Sequence, residues 1–131
     1  MLNLICIFVG GGIGSVLRFL SNIFFKKLTI LNAYGIFCST IFVNIIGSFI
    51  LGLAYTVFIN KADIPDYIKF AVSVGFCGGL TTFSTFSLET YNLIKQGELL
   101  QAFMYILLSV ITCLFAVSLG VQAGNHLTKI I

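Results

Sequence analysis

Residues 75–87 read Gly-Phe-Cys-Gly-Gly-Leu-Thr-Thr-Phe-Ser-Thr-Phe-Ser: three glycines, five hydroxyl residues and three phenylalanines in thirteen positions. Hydroxyls supply neutral hydrogen-bond donors and acceptors. Glycine frees the backbone from helical geometry. The stretch lies inside a long apolar segment, where unpaired backbone is tolerated only if it is buried in protein or lines a wet cavity. A helix interrupted on purpose is therefore expected here, and such breaks mark ion and substrate sites.

Other polar residues recur at helical spacing. Thr40, Asn44 and Ser48 stand at i, i+4 and i+8 and share one face. Asn44 is the strongly polar group of its segment, open to two readings: a hydrogen-bonding glue between helices or part of a polar pathway. Tyr105, Ser109 and Thr112 share a second face; Tyr105 suits either an interfacial belt or a polar lining. Glu89 lies about two turns beyond the glycine-rich stretch. Arg18 either snorkels to the headgroups or presents a cation that draws anions into a vestibule.

The elements that must carry these residues are membrane spans. The chain has 131 residues, 59% hydrophobic and 8% charged, with a mean hydropathy of +1.11. A soluble domain carries about 25% charged residues. There is room for about four spans of roughly 20 residues, so the whole chain, 1–131, is read as one all-α membrane domain. The spans are placed at about 4–25, 33–59, 67–95 and 99–125. The third would reach about 43 Å as a straight helix against a hydrocarbon core of about 30 Å. A break at Gly78-Gly79 relieves that mismatch, with Thr81 and Thr82 as N-caps of the second half.

The first span carries Gly10-Gly11-Gly12-Ile13-Gly14-Ser15. The third glycine is misplaced for a dinucleotide fingerprint and no strand-helix-strand context follows. A close-packing face, with Gly10 and Gly14, and Gly11 and Ser15, four apart, is the better reading. Met1–Cys6 has neither a basic n-region nor a small-residue cleavage site, so a retained span is expected there. A turn through Asn32 precedes span 2. The loop from Asn60 to Asp66 holds the single proline, Pro65, suited to the first turn of the next helix. Lys95-Gln96-Gly97-Glu98 forms a second short turn.

Charge excludes some partners. The net +3 is scattered, with no basic run to neutralise successive phosphates, so nucleic acid is not expected. Cys6, Cys38, Cys77 and Cys113 fall in different segments without C-x-x-C spacing, which argues against disulfides or a cysteine metal site. With four spans, Lys61, Lys69 and Lys129 lie on one side and Lys26, Lys27 and Lys95 on the other. Orientation normally follows an excess of Lys and Arg in cytoplasmic loops. The balance here leads us to expect insertion in both orientations and pairing with an inverted copy.

With GGGIGSVLRF, VNIIGSFILG and GFCGGLTTFSTFSLE in place, the sequence resembles the Fluc/CrcB family of fluoride channels along its whole length. The resemblance implies dual-topology antiparallel homodimers in the bacterial inner or plasma membrane. Two pores would pass fluoride passively out of the cytoplasm and protect the cell from its toxicity. By the same resemblance, Asn44 matches the pore asparagine, and Phe83 and Phe86 the paired phenylalanines whose ring edges face the anion. Thr40, Ser84, Thr85, Glu89, Tyr105 and Ser109 match pore-lining or polar-track groups, and Arg18 the family's span 1 arginine. Gly78 and Thr81 match positions whose carbonyls, from both subunits, bind a structural sodium ion. Cys113 stands where the family can carry a hydroxyl.

The chemistry is consistent with that implication. Fluoride must exchange water for binding that is favourable but weak and spread over several sites. Neutral donors and electropositive ring edges provide this without the strong hold of a buried cation. Three rivals differ in their needs. A small proton-coupled multidrug exporter requires a carboxylate in the first span, which has none. An assembly subunit would not account for a hydroxyl-rich broken helix, and an enzyme would need a nucleophile–base pair.

Overall fold

A computed structural model describes residues 1–28, 32–61 and 63–130, with side chains in the second helix described from residue 37 onward. Of the turn expected through Asn32, residues 29–31 lie outside the described residues, as does Ala62 in the second loop, and Asn32 itself is the first residue of the second helix. Every described element is helical: α1 (Leu2–Leu28), α2 (Asn32–Asn60), α3 (residues 66–80), α4 (Phe83–Lys95) and α5 (Leu99–Ile130). Four stretches are long and apolar enough to cross a membrane: Leu2–Leu28, Phe37–Asn60, Asp66–Lys95 and Leu99–Ile130. The third combines α3 and α4.

The interior mixes polar with small and apolar residues, and the exterior is apolar. The most deeply buried side chains are Ser39, with no exposed surface, and Thr40, at 2%. Leu4, Phe8, Phe103 and Leu114, by contrast, face outward. A water-soluble chain reverses this order; in lipid, apolar side chains gain nothing from leaving the surface, and small and polar residues hold helices together.

Glycine faces set the two principal helix contacts. A Cβ on Gly10 would overlap the Ala71 carbonyl oxygen, one on Gly14 the Phe76 carbonyl, and one on Gly79 the Gly11 carbonyl. So α1 and α3 meet backbone to backbone, as the spacing of Gly10 and Gly14 predicts. On the other side α2 packs most extensively on α5, where Gly120 lies against the Phe49 carbonyl and Gly52 against that of Val117.

The third span departs from expectation in three ways. Gly78 keeps helical dihedrals (φ −64°, ψ −35°), so the break is not at Gly78-Gly79. It falls at Thr81 (φ −79°, ψ 156°) and Thr82 (φ −151°, ψ 114°). The glycines serve contact with α1, and the extended residues are threonines, whose β-branched side chains favour that conformation. Second, Ala71–Cys77 is a π-helical stretch, a widened turn found often at functional sites. Third, Pro65 precedes the helix as its cap, its carbonyl accepting the amides of Ile68 at 3.0 Å and Lys69 at 3.3 Å. The Lys95–Glu98 turn is as expected: Gly97 takes φ +82° and the Glu98 amide reaches back to the Leu93 carbonyl at 3.0 Å, a glycine helix stop.

Candidate functional site

The site is built around the break. At the C-terminal end of α3 the Thr81 hydroxyl donates to the Cys77 carbonyl at 2.8 Å, and its amide donates to the same carbonyl at 2.9 Å. At the start of α4, the Thr82 hydroxyl accepts the Thr85 amide at 3.1 Å and caps the helix. The same hydroxyl donates to Thr85 Oγ1 at 2.9 Å and stands 3.3 Å from Ser84 Oγ. Of the two expected caps, Thr82 is the N-cap and Thr81 closes the preceding helix.

Two side chains from other helices hold the freed peptide groups. Asn44 Oδ1 accepts the Thr82 amide at 2.8 Å, and Asn44 Nδ2 donates to the Thr82 carbonyl at 3.4 Å. Arg18 donates from a guanidinium nitrogen to the Thr81 carbonyl at 3.2 Å. Arg18 is thus partly buried against the break instead of snorkelling to a helix end.

Nearly two turns into α4 lies a second polar group. The Glu89 carboxylate is buried and accepts hydrogen bonds from Thr40 Oγ1 at 3.0 Å and Tyr105 Oη at 2.6 Å. Tyr105 therefore belongs to the interior and not to an interfacial belt. Its ring also meets Phe86 (centroids 5.2 Å apart) and Phe37 (5.3 Å). Phe86 in turn meets Phe83 at 5.5 Å with the ring planes tilted by 47°. The two phenylalanines differ sharply in exposure: Phe86 is 9% exposed and Phe83 is 79%.

An open pocket of about 360 Å³ joins these parts. Asn44, Ser48, Thr81, Thr82, Phe83, Phe86, Ser109 and Cys113 contribute to its wall, and none of its lining residues is charged. Ser109 is buried, and its hydroxyl is the one buried side-chain polar atom among the described residues with no hydrogen-bond partner. Such a group in a native fold calls for an explanation.

Of the residues named from sequence, Asn44, Phe83, Phe86, Ser109, Thr81 and Gly78 come together on this pocket. Thr40, Glu89 and Tyr105 form the adjoining buried cluster. Ser84 and Thr85 flank Thr82, and Arg18 approaches from α1. Thr112 is not part of the group, since its hydroxyl donates to the Leu108 carbonyl of its own helix at 2.7 Å. Thr82 as the centre of a hydroxyl trio was missed; the repeated threonine at the start of a helix was the available signal.

The arrangement is a set of uncharged polar residues and phenylalanine rings around an open pocket in an apolar bundle. The CrcB family, described as "CrcB-like protein, Camphor Resistance (CrcB)", matches residues 5–121. The chain belongs to the CrcB family. Among its relatives is a fluoride-specific ion channel FluC of Geobacter sp. (strain M21), 40% identical over 97% of this chain and 100% of the relative. A FluC of Hahella chejuensis is 42% identical over 98% of this chain and 96% of its own length. A third, from Shewanella loihica, is 44% identical over 93% and 95%. This CrcB-family chain is thus similar end to end to channel proteins, and family and geometry agree on transport instead of catalysis.

Proposed function

We propose that the chain is a fluoride-selective channel of the cell membrane, passing fluoride out of the cytoplasm down its electrochemical gradient and so limiting fluoride toxicity. The observation that carries the reading is the open pocket beside the break, bordered by Asn44, Phe83, Phe86 and Ser109 and without charged lining. A lysine or arginine side chain exposed to the anion there would bind fluoride too firmly to release it; neutral donors and ring edges satisfy it in weak steps. The names of the relatives carry the same assignment.

The functional unit in this reading is an inverted homodimer. Phe83 stands 79% exposed on an open pocket, and a second copy would close it. The lysines near the helix ends divide three and three between the two sides, which gives little preference for either orientation. Tag-accessibility mapping in cells is expected to find both orientations; a single orientation would remove the inverted dimer.

A structural sodium ion belongs to the same reading, held by the carbonyls of Gly78 and Thr81 from both copies. The donor set fits. Backbone carbonyls are hard oxygen donors of the kind such a cation takes, and the break frees them from helical pairing. The Thr82 amide that would pair with the Gly78 carbonyl is given to Asn44 instead. The Thr81 carbonyl accepts Arg18 and retains a second lone pair. Arg18 supports the break through the Thr81 carbonyl; in this reading its charge also raises the anion concentration in an adjoining vestibule. When bound, the ion joins the two breaks and does not cross the membrane; sodium flux coupled to fluoride would contradict this.

The deciding experiment is fluoride-electrode efflux from liposomes loaded with fluoride or chloride, with and without a proton gradient. Fluoride efflux far above chloride and indifferent to the proton gradient is expected. The buried Glu89 favours one second reading, a fluoride–proton carrier, and dependence of efflux on the proton gradient would select it.

A further inference from the structure

Asn44 grips both backbone groups of a single residue. Its Oδ1 takes the Thr82 amide at 2.8 Å and its Nδ2 gives to the Thr82 carbonyl at 3.4 Å. A carboxamide used this way replaces a neighbouring strand, and Thr82 answers with extended dihedrals of φ −151° and ψ 114°. In an unbroken helix the Thr82 amide would close onto the carbonyl four residues back, that of Gly78. Here the last such bond runs from the Thr81 amide to Cys77. Gly78 itself is exposed, and a Cβ built on it would meet nothing within 4 Å, so its face of the break is open.

We propose that Asn44 is the positioning residue that creates the cation site: by occupying the Thr82 amide, it keeps the Gly78 carbonyl free to bind a hard cation. The proposal rests on the sodium part of the reading above. Asn44 also lines the pocket, and its carboxamide has two N–H bonds, of which Thr82 uses one. The remaining N–H serves the anion path. One side chain therefore links both ions, and it does so through backbone it holds extended, not by touching the cation.

The test uses purified wild-type, Asn44→Ala and Asn44→Asp protein in detergent, with the thermal midpoint of the dimer read in sodium chloride and in N-methylglucamine chloride. Wild type is expected to gain stability in sodium. Asn44→Ala releases the Thr82 amide to Gly78, and the sodium-dependent gain is lost. Asn44→Asp keeps an acceptor for that amide and keeps the gain, while its fluoride efflux falls. An Asn44→Ala dimer with the full wild-type gain would overturn the proposal, as would Asn44→Asp losing it. If Asn44→Ala gives no dimer, the Asp variant decides alone. Wild type with no sodium response overturns the cation reading and this proposal together, and fluoride efflux measured on the same sample shows whether the channel reading survives them.

Discussion

The Tyr105 hydroxyl donates to the buried Glu89 carboxylate at 2.6 Å, across the gap between α5 and α4. Thr40 donates to the other carboxylate oxygen from α2 at 3.0 Å. One acid thus ties three helices together, and both of its bonds come from neutral donors.

Removing either donor strands part of the carboxylate. Tyr105→Phe and Thr40→Val are each expected to lower folding stability by about 1–3 kcal/mol, the penalty for an unsatisfied buried group. A double-mutant cycle with Glu89→Gln should show coupling, because the pairs share one group. Additive effects in a thermal or denaturant series would remove Glu89 from this role.

Ser109→Ala should separate conduction from stability. The Ser109 hydroxyl has no partner to lose, so unfolding is expected to stay within about 0.5 kcal/mol of wild type or improve slightly. Fluoride efflux should fall about tenfold if the lost bond to the anion is worth about 1.4 kcal/mol in the rate-limiting step. Unchanged efflux would leave the orphaned hydroxyl without a task.

Phe83→Ile and Phe86→Ile are both expected to reduce fluoride efflux strongly while dimers still form. They should differ in stability. Phe86 packs against Tyr105 and is 9% exposed, so its replacement is expected to lower stability by about 1 kcal/mol or more. Phe83 is 79% exposed in the single chain, so its replacement should leave unfolding of the chain unchanged; if the proposed inverted dimer forms, any loss should appear in its dissociation. Wild-type efflux from either variant would sink the ring-edge role.

Arg18→Gln tests the vestibule assignment. The side chain keeps a donor for the Thr81 carbonyl but loses its charge, so efflux should drop most at low fluoride and low ionic strength, where attraction is least screened. A drop of the same size at high salt would point to support of the break instead.

Gly14→Val probes the contact between α1 and α3. Even a single Cβ there would overlap the Phe76 carbonyl oxygen, and backbone cannot yield as a flexible side chain does. A loss of more than about 3 kcal/mol, or no folded protein by size-exclusion chromatography, is expected. A normal dimer would show that the two helices can separate without consequence.

Much of this was legible in the residues themselves. Mean hydropathy and length determined a four-span helical membrane protein, and glycines four apart marked the helix faces that meet. The hydroxyl-rich stretch announced an interruption. What the sequence did not determine was the register of that interruption. Gly78 and Gly79 were the obvious place for it because glycine tolerates any backbone conformation, yet Gly79 is needed against α1 and Gly78 stays helical. The extended residues are Thr81 and Thr82, because only there do Asn44 and Arg18 reach the peptide groups that a break exposes. Those partners lie 38 and 63 residues away in the chain, and no local propensity encodes such a distance. The π-helical stretch had no sequence signal of its own. The tertiary structure also decided which polar residues find partners: Tyr105, Thr40 and Glu89 satisfy one another, whereas the Ser109 hydroxyl is buried without one. A buried polar group must find a partner or lose its hydration, and which groups succeed depends on the helices brought against them.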